Sequence, residues 1–195
     1  MPPAVPATEI RARILGAMAR LAADKGYAAV TIDDLARAAR ISKRTFYAHF
    51  ADKERCLLAA YEAAASSVYD AAERAAAQDG GNWRRQVDTV IATYLMALAA
   101  QPEMTRLFLI EIQAAGAAAL ELHLAVDLRY AALLRRIVRR GGRRTLPQPM
   151  AIALLGAVNE LVLHEVANDR TTRLPRLLGT VRPLFDAALG RNLGM

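Results

Sequence analysis

The sequence has 195 residues, of which 54% are hydrophobic, 6% aromatic and 23% charged, with a formal net charge of +7. Helix-favouring alanine and leucine dominate and strand-favouring residues are sparse, so the composition predicts an all-α protein with a sizeable core. A single cysteine excludes an internal disulfide framework. The longest uncharged stretch is too short to cross a bilayer, and the N-terminus lacks the pattern of a signal peptide. We therefore expect a cytoplasmic protein with no membrane association.

The first fifty residues predict three short helices. Residues 1–7 are rich in Pro and Ala and are expected to be disordered. Thr8 is predicted to cap a first helix that ends at Gly26, where glycine favours a helix C-terminus. Thr31 is predicted to cap a second helix, with an acidic residue three positions later in the manner of a capping box. Ser42 is predicted to cap a third. Short helices joined by a tight turn are typical of a helix-turn-helix unit.

From Asp52 onward the sequence predicts six larger helices and no strand. Asp52 is expected to cap a long helix that ends at the Asp-Gly-Gly-Asn turn of residues 79–82. The remaining helices are predicted at Trp83–Ala100, Glu103–Gln113, Ala117–Arg140, Met150–Asn168 and Thr172–Leu189. The predicted helices change from short to long near residue 52, which indicates a boundary between two domains.

The third helix combines an aromatic root with a cationic outer face. Phe46 and Phe50 are four residues apart and fall on one side of a helix, where they would anchor it to the first two helices. Lys43, Arg44 and Tyr47 point away from that anchor. A short helix with this arrangement is typical of entry into the major groove of DNA.

The stretch from Gly26 to Lys53 resembles the N-terminal region of the tetracycline-repressor (TetR) family of bacterial transcription regulators. The resemblance lies in Gly26–Ile32, Leu35-Ala36, Ala39, Ile41-Ser42, Thr45, Phe46-Tyr47, His49-Phe50 and Lys53. It implies a DNA-binding domain at residues 1–52 and an effector-binding and dimerisation domain at residues 53–195. It further implies a homodimer that binds a palindromic double-stranded operator and responds to a small effector, with no cofactor.

The resemblance also assigns roles to residues of the helix-turn-helix unit. It places side chains from Thr31 to Lys53 against the DNA backbone or groove edge and makes Lys43 and Arg44 the base-reading residues. Many family members carry Gly where Arg44 stands, so the operator sequence is expected to differ. The predicted DNA-binding residues are Thr31, Ser42, Lys43, Arg44, Thr45, Tyr47, His49 and Lys53.

The resemblance implies an effector cavity among the later helices, and polar residues within apolar helices suggest its lining. Leu120, Leu124, Leu128, Ala131 and Val138 are predicted to form the core stripe of their helix. His123, Asp127, Tyr130 and Leu134 run beside that stripe, as a pocket wall or as an ordinary helix boundary with a His–Asp pair. Glu111 lies in an apolar run, where its carboxylate needs either an arginine partner or an effector group. The predicted pocket residues are Tyr94, Phe108, Glu111, His123, Asp127 and Tyr130.

The last two helices are predicted to form the dimer interface. Both have wide apolar faces, and two such helices from each subunit would make the four-helix contact that the resemblance implies. The alternative is that they only close the core of one chain. The predicted interface residues are Leu154, Leu155, Val158, Leu161, Val162, Leu174, Leu177, Leu178, Val181, Leu184 and Phe185.

The sequence carries no pattern typical of an enzyme or a metal site. His164-Glu165 begins a zinc-protease pattern, but Asn168 stands where the second histidine ligand would be required. Cys56 lies in a helix rich in Ala and Leu, which predicts a packed thiol. A ligand-responsive repressor is therefore the favoured interpretation, and a helical DNA-binding architectural protein without ligand control is the alternative.

The net charge by itself is a poor indicator of DNA binding. The segment Arg129–Arg144 holds seven arginines and no acidic residue, and outside it basic and acidic residues are equal in number, at 19 each. The sequence predicts that this segment is a solvated surface or a contact for an acidic partner. The local excess of four positive charges between Arg37 and Arg55 is the informative one.

Overall fold

The computed structural model describes residues 6–79, 82–112, 116–141 and 146–190. Within those ranges the chain is all-α, as predicted, with nine α-helices, two 3-10 helices and no strand. The 3-10 helices are Tyr27–Ala29 and Thr171–Arg176. The α-helices are α1 Ala7–Lys25, α2 Ile32–Ala39, α3 Lys43–His49, α4 Lys53–Gln78, α5 Trp83–Ala100, α6 Pro102–Leu109, α7 Ala117–Arg140, α8 Gln148–Ala167 and α9 Leu177–Gly190.

Several predicted helix ends are confirmed and others are corrected. Asp52 caps α4 by accepting the Arg55 N–H at 2.7 Å. Thr8 is not a cap, because α1 already begins at Ala7 after Pro6, whose side chain makes no capping hydrogen bond. Expected disorder of residues 1–7 is therefore wrong at Ala7, and residues 1–5 lie outside the described part of the chain.

The C-terminal helices also begin and end differently from the prediction. Thr172 lies in a 3-10 helix, and α9 starts only at Leu177. Pro175 lies within that 3-10 helix, and a proline removes a backbone donor that an α-helix needs. The predicted helix Glu103–Gln113 stops at Leu109, and Gln113 lies outside the described residues.

The chain divides into two compact units. The first comprises Met1–Ala64 and Glu103–Leu122, and the second comprises Ala65–Pro102 and His123–Met195. In the first unit α1 packs on α2, and α2 packs on α3. Its fully buried side chains include Ile14, Met18, Leu35, Phe46, Leu57 and Leu107. The predicted functional boundary at residues 52 and 53 remains a prediction.

The second unit is built around α5, α8, α9 and the 3-10 helix Thr171–Arg176. Buried side chains at its centre include Leu95, Val162, Leu174 and Val181. By length and composition α8 could cross a membrane. Its buried residues instead recur at Ala151, Leu154, Val158, Val162 and Val166, and it packs against α9. This is the pattern of a core helix in a folded unit.

The predicted core stripe of α7 is wrong over its first half. Leu120, Leu124 and Leu128 are 59%, 51% and 44% exposed, whereas Ala131 and Val138 are buried. Other buried residues of this helix are Ala119, Leu133, Leu134 and Ile137. At about 100° per residue these lie mostly to one side of the leucines. The predicted stripe is therefore exposed at its leucines in the first half of the helix and packed at Ala131 and Val138 in the second half.

The arginine-rich segment is bound to its own chain more than predicted. Arg129 stacks on the Tyr69 ring at 4.3 Å and donates to the Ser66 hydroxyl at 3.3 Å. Arg135 donates to the Leu146 carbonyl at 3.0 Å, and Arg136 pairs with Glu73. Arg129 is exposed and Arg135 and Arg136 are part-exposed, so the segment faces solvent while these side chains also contact their own chain. Arg143 and Arg144 lie outside the described residues.

Candidate nucleic-acid interface and effector site

The start of α2 is held by the capping box that the sequence predicts. The Thr31 hydroxyl accepts the Asp34 N–H at 3.2 Å, and the Asp34 carboxylate accepts the Thr31 N–H at 3.0 Å. Lys25 donates to the same carboxylate at 2.6 Å. The hydrogen bonds from Lys25 and Thr31 hold the pKa of Asp34 well below its usual range. These contacts fix both the start of α2 and the exposed position of Thr31.

The turn between α2 and α3 is tight. Arg40 takes a left-handed conformation with φ 55°, and its N–H bonds back to α2. Ser42 caps α3 by accepting the Thr45 N–H at 3.0 Å, and the two hydroxyl oxygens lie 2.9 Å apart. The predicted caps at Thr31 and Ser42 are therefore confirmed, and the two helices form the expected helix-turn-helix geometry.

The two sides of α3 differ as the sequence predicts. Phe46 is fully buried and Phe50 is 5% exposed, with ring centroids 5.9 Å apart. Tyr47 is 55% exposed, and Lys43 and Arg44 are also exposed. Because Phe46 and Phe50 fix the buried side of the helix, its outer side is accessible to a groove about 12 Å wide.

Two arginines of α1 support this unit in a way the sequence did not reveal. Arg13 donates to the Ala39 carbonyl and, at 3.1 Å, to the Arg40 carbonyl, so it caps the C-terminus of α2. Arg11 stacks over the Phe50 ring at 4.4 Å. Each contact joins residues more than twenty positions apart, so no local pattern signals it.

Two of the predicted DNA-binding lysines have partners within the chain. Lys43 forms an exposed ion pair with Asp33 at 2.7 Å, which raises the pKa of Lys43. Lys53 donates to the Tyr27 carbonyl at 3.1 Å and the Ala28 carbonyl at 3.3 Å. Its ammonium also lies 4.4 Å from the centre of the Tyr27 ring. Lys43 therefore has an acidic partner at the surface, whereas Lys53 anchors the turn before α2.

In the second unit the structure brings together four of the six predicted pocket residues. Tyr94 donates its hydroxyl to Asn159 at 3.0 Å, and the Asn159 amide donates to Asp127 at 3.3 Å. His123 Nε2 lies 3.7 Å from the other Asp127 oxygen. The Tyr130 ring packs edge-on against Tyr94 with centroids 5.5 Å apart.

Burial sets the electrostatics of this polar cluster, which we define as Tyr94, His123, Asp127 and Asn159. Desolvation raises the pKa of Asp127, and His123 and the Asn159 hydrogen bond oppose that rise. Desolvation, with the charge of Asp127, also raises the pKa of Tyr94. On α7, His123 and Asp127 are part-buried, whereas Leu120, Leu124 and Leu128 are exposed. The edge predicted beside the core stripe is therefore more buried at these two residues than the leucines of the stripe.

Sequence reasoning missed two residues of this region. Asn159 is central to the polar cluster, and its position within the apolar run of α8 was the available signal. Tyr69 packs edge-on against Tyr130 with centroids 5.2 Å apart. No local pattern connects Tyr69 with Tyr130, because 61 residues separate them.

The other two predicted pocket residues do not join this cluster in the described contacts. The side chain of Phe108 lies outside the described part of the structure. Glu111 lies in the first unit, where it accepts the Tyr27 N–H at 2.7 Å and lies 4.0 Å from Arg106 Nε. The expected partner was an arginine from elsewhere in the chain, whereas the arginine found near Glu111 is Arg106 on the same segment. The contact with the Tyr27 backbone was not foreseen.

The predicted dimer residues fall into two groups. Leu154, Val158, Val162, Leu174, Val181 and Phe185 are buried within the single chain. These six residues contribute to the core of the single chain, and their part in a dimer interface remains a prediction. Leu184 is 43% exposed, and the part-exposed members are Leu155, Leu161, Leu177 and Leu178.

Three further observations concern the cysteine, the metal-ligating residue types and a surface cleft. Cys56 is buried, as predicted, and burial raises the pKa of its thiol to about 12. Among the residues that the structure describes, no three His, Cys, Asp or Glu side chains are grouped to hold a metal ion. A surface cleft of about 520 Å³ lies between α1 and α2, with Arg13, Arg20 and Arg40 in its lining. None of the predicted pocket residues lines this cleft.

Comparison of the sequence with known families and proteins points to the helix-turn-helix region. Residues 14–60 match the family described as bacterial regulatory proteins, tetR family. The uncharacterized HTH-type transcriptional regulator YerO of Bacillus subtilis (strain 168) is 48% identical over 54 residues. That match covers 28% of this chain and 19% of YerO, so it spans about a fifth of the relative's length.

Solved structures are similar over almost the whole chain. The fatty acid degradation regulator FadR from Bacillus halodurans superposes with a TM-score of 0.83 at 19% identity, covering 99% of this chain and 100% of that one. The FadR of Bacillus subtilis, solved in complex with stearoyl-CoA, has a TM-score of 0.79 at 20% identity, covering 89% of this chain and 96% of that one. At these identities the likeness establishes the fold.

Proposed function

Because the chain belongs to the TetR family of bacterial regulatory proteins through residues 14–60, we propose that it is a ligand-responsive repressor that binds a palindromic operator as a homodimer. One observation carries this proposal. The capped helix α3 has a buried aromatic root at Phe46 and an exposed outer face of Lys43, Arg44 and Tyr47. That face supplies hydrogen-bond donors and positive charge on a helix that a major groove can admit.

In this proposal α3 enters the major groove of double-stranded DNA. Lys43 and Arg44 contact base edges, for which an arginine can donate two hydrogen bonds to guanine. Contacts to phosphate come from the remaining predicted residues and set the register of the protein on the duplex. Those residues are Thr31, Ser42, Thr45, Tyr47, His49 and Lys53.

A homodimer follows from the short reach of a single recognition helix. Two-fold symmetric half-sites about one helical turn apart are read by two copies of the same helix. The exposed and part-exposed apolar residues of the last two helices support a contact between copies. They are Leu155, Leu161, Leu177, Leu178 and Leu184.

The polar cluster of the second unit supports the effector site. Its carboxylate and amide are grouped beside the tyrosine rings. The two recognition helices have one arrangement on DNA and another in the DNA-free protein. An effector releases DNA only if it binds the DNA-free arrangement more tightly. The stearoyl-CoA in the FadR relative makes that compound the first effector to test here.

The test is a selection of bound DNA from a random pool, followed by gel shifts with the selected duplex. The proposal expects an enriched palindrome and a loss of DNA affinity when stearoyl-CoA or a member of a metabolite library is added. Asp127→Asn should alter the effector response and leave the affinity of the free protein for DNA unchanged. Binding that no small molecule alters would favour the architectural alternative, and failure to enrich any sequence would contradict sequence-specific regulation.

A further inference from the structure

The short turn between α1 and α2 is held at both ends by residues from distant parts of the chain. The 3-10 helix Tyr27–Ala29 leads directly to the Thr31 cap of α2. Its first N–H, on Tyr27, donates to Glu111 Oε2 at 2.7 Å. Its carbonyl end accepts from Lys53 Nζ. A carboxylate at the N–H end and an ammonium at the carbonyl end match the polarity of a helical turn.

The contact from Glu111 is close and sheltered. Its side chain is only 12% exposed, and 84 residues separate it from Tyr27. Gly26 has φ 78°, and a Cβ at that position would lie 3.7 Å from Glu111 Oε2. The backbone therefore comes close to the carboxylate where a glycine stands. A hydrogen bond to an ionised acceptor is stronger than one between neutral groups.

We propose that Glu111 is a positioning residue for DNA binding, because its bond to Tyr27 sets where the turn and the following helix-turn-helix lie relative to residues 103–112. This inference rests on the proposed function as a DNA-binding regulator. Few residues separate the bond from the recognition unit. The Val30 N–H bonds to the Tyr27 carbonyl at 3.1 Å, and Thr31 begins the capping box immediately afterwards.

The consequence is a defined route for regulation within the first unit. If residues 103–112 shift, the Glu111 carboxylate moves away from the Tyr27 N–H and the turn loses its anchor at that end. Lys53 then holds the turn at its carbonyl end alone. Since only Val30 and Thr31 separate the turn from α2, the placement of α3 against DNA becomes less defined.

Two substitutions at one position separate the hydrogen bond from the charge. Glu111→Ala removes the acceptor, whereas Glu111→Gln keeps an acceptor oxygen in the same place. We expect Glu111→Ala to raise amide exchange at Tyr27 by about ten-fold and to weaken binding of the parent-selected duplex by about ten-fold. Glu111→Gln should retain both properties to within about three-fold.

Two control variants exclude a general loss of stability. Glu103→Ala removes an exposed carboxylate from α6 and should change neither readout. Ile14→Val shortens a fully buried side chain of α1, outside residues 103–112. It should lower the melting temperature while leaving Tyr27 exchange and DNA affinity unchanged where the protein is folded.

The inference is overturned if Glu111→Ala binds the selected duplex as the parent does, or if Ile14→Val loses as much affinity at equal stability. It is also overturned if Glu111→Gln loses as much DNA affinity as Glu111→Ala while the Tyr27 amide stays protected from exchange in both variants. Selection of no duplex by the parent would contradict the proposed function and this role together. The exchange data would then still report whether the Glu111–Tyr27 bond exists.

Discussion

The helices α3 and α7 arrange their apolar residues in opposite ways. Phe46 of α3 and Phe50, which follows as its C-cap, are buried, and the cationic side of the helix is exposed. In α7 the leucines Leu120, Leu124 and Leu128 are exposed, while the part-buried Asp127 makes contacts within the second unit. A seven-residue helix with one apolar face has one way to pack. In a 24-residue helix one stripe can be exposed in its first half and packed in its second, and the neighbours decide.

The largest effect is expected from removing the aromatic root of α3. Phe46→Ala should cost about 3–5 kcal/mol of unfolding free energy, because a fully buried ring is lost and a cavity remains. Urea titration followed by circular dichroism measures it. Tyr47→Ala, at an exposed position next along the chain, is the control and should change stability by less than about 0.5 kcal/mol. Similar losses for both would contradict the two-sided description of α3.

The corresponding pair in α7 tests which of its faces is inside. Leu133→Ala should cost about 2–5 kcal/mol, because Leu133 is buried. Leu124→Lys should change the unfolding free energy by less than about 0.5 kcal/mol, since that side chain is half exposed. Both are measured by the same urea titration. If Leu124→Lys unfolds the protein, Leu124 belongs to the core, as the stripe predicted from periodicity requires.

A substitution at Arg44 tests whether the outer face of α3 contacts bases. Arg44→Ala should cost about 1–3 kcal/mol of binding free energy for the selected duplex and should broaden the preference at the contacted position. Repeating the selection with the variant measures the preference, and gel shifts measure the affinity. An unchanged sequence preference would mean that Arg44 does not contact a base.

Lys53→Ala should weaken binding to selected and scrambled duplexes alike, because a phosphate contact carries no sequence information. The slope of log affinity against log salt should fall by about one. Since Lys53 also anchors the turn before α2, exchange at the amides of residues 27–31 should be measured on the same variant. A loss confined to the selected duplex would indicate that the turn, and not a phosphate contact, is responsible.

The smallest expected effects are on the pH dependence of stability, where two aspartates act with opposite signs. The pKa of Asp34 is lowered in the folded protein, so its contribution is present above the unfolded value near 3.9 and is lost as pH falls. Burial raises the pKa of Asp127 in the folded protein, so the folded state binds this proton more readily than the unfolded state. Protonation of Asp127 therefore adds stability as the pH falls through its raised pKa. Thermal unfolding between about pH 3 and pH 7 should show that Asp34→Asn flattens the acid-side loss. Asp127→Asn should make the loss of stability at acid pH steeper. The same dependence of stability on pH in both variants would contradict these assignments.

Local interactions account for what the sequence alone determined. The caps at Thr31, Ser42 and Asp52 and the aromatic root of α3 depend on residues at most four positions apart. Such contacts are encoded in spacing, so the helix-turn-helix unit and its exposed face could be predicted. The all-α class followed from composition in the same way.

Tertiary packing decided the rest, because its contacts join residues that no spacing relates. It placed six of the predicted interface residues in the core, turned the leucines of α7 outward and brought Asn159 to Asp127 and Tyr94. It also gave the part-buried carboxylate of Glu111 the Tyr27 N–H as a partner 84 residues away. A helical period reports which residues share a face, and only the neighbouring helices determine where that face is covered.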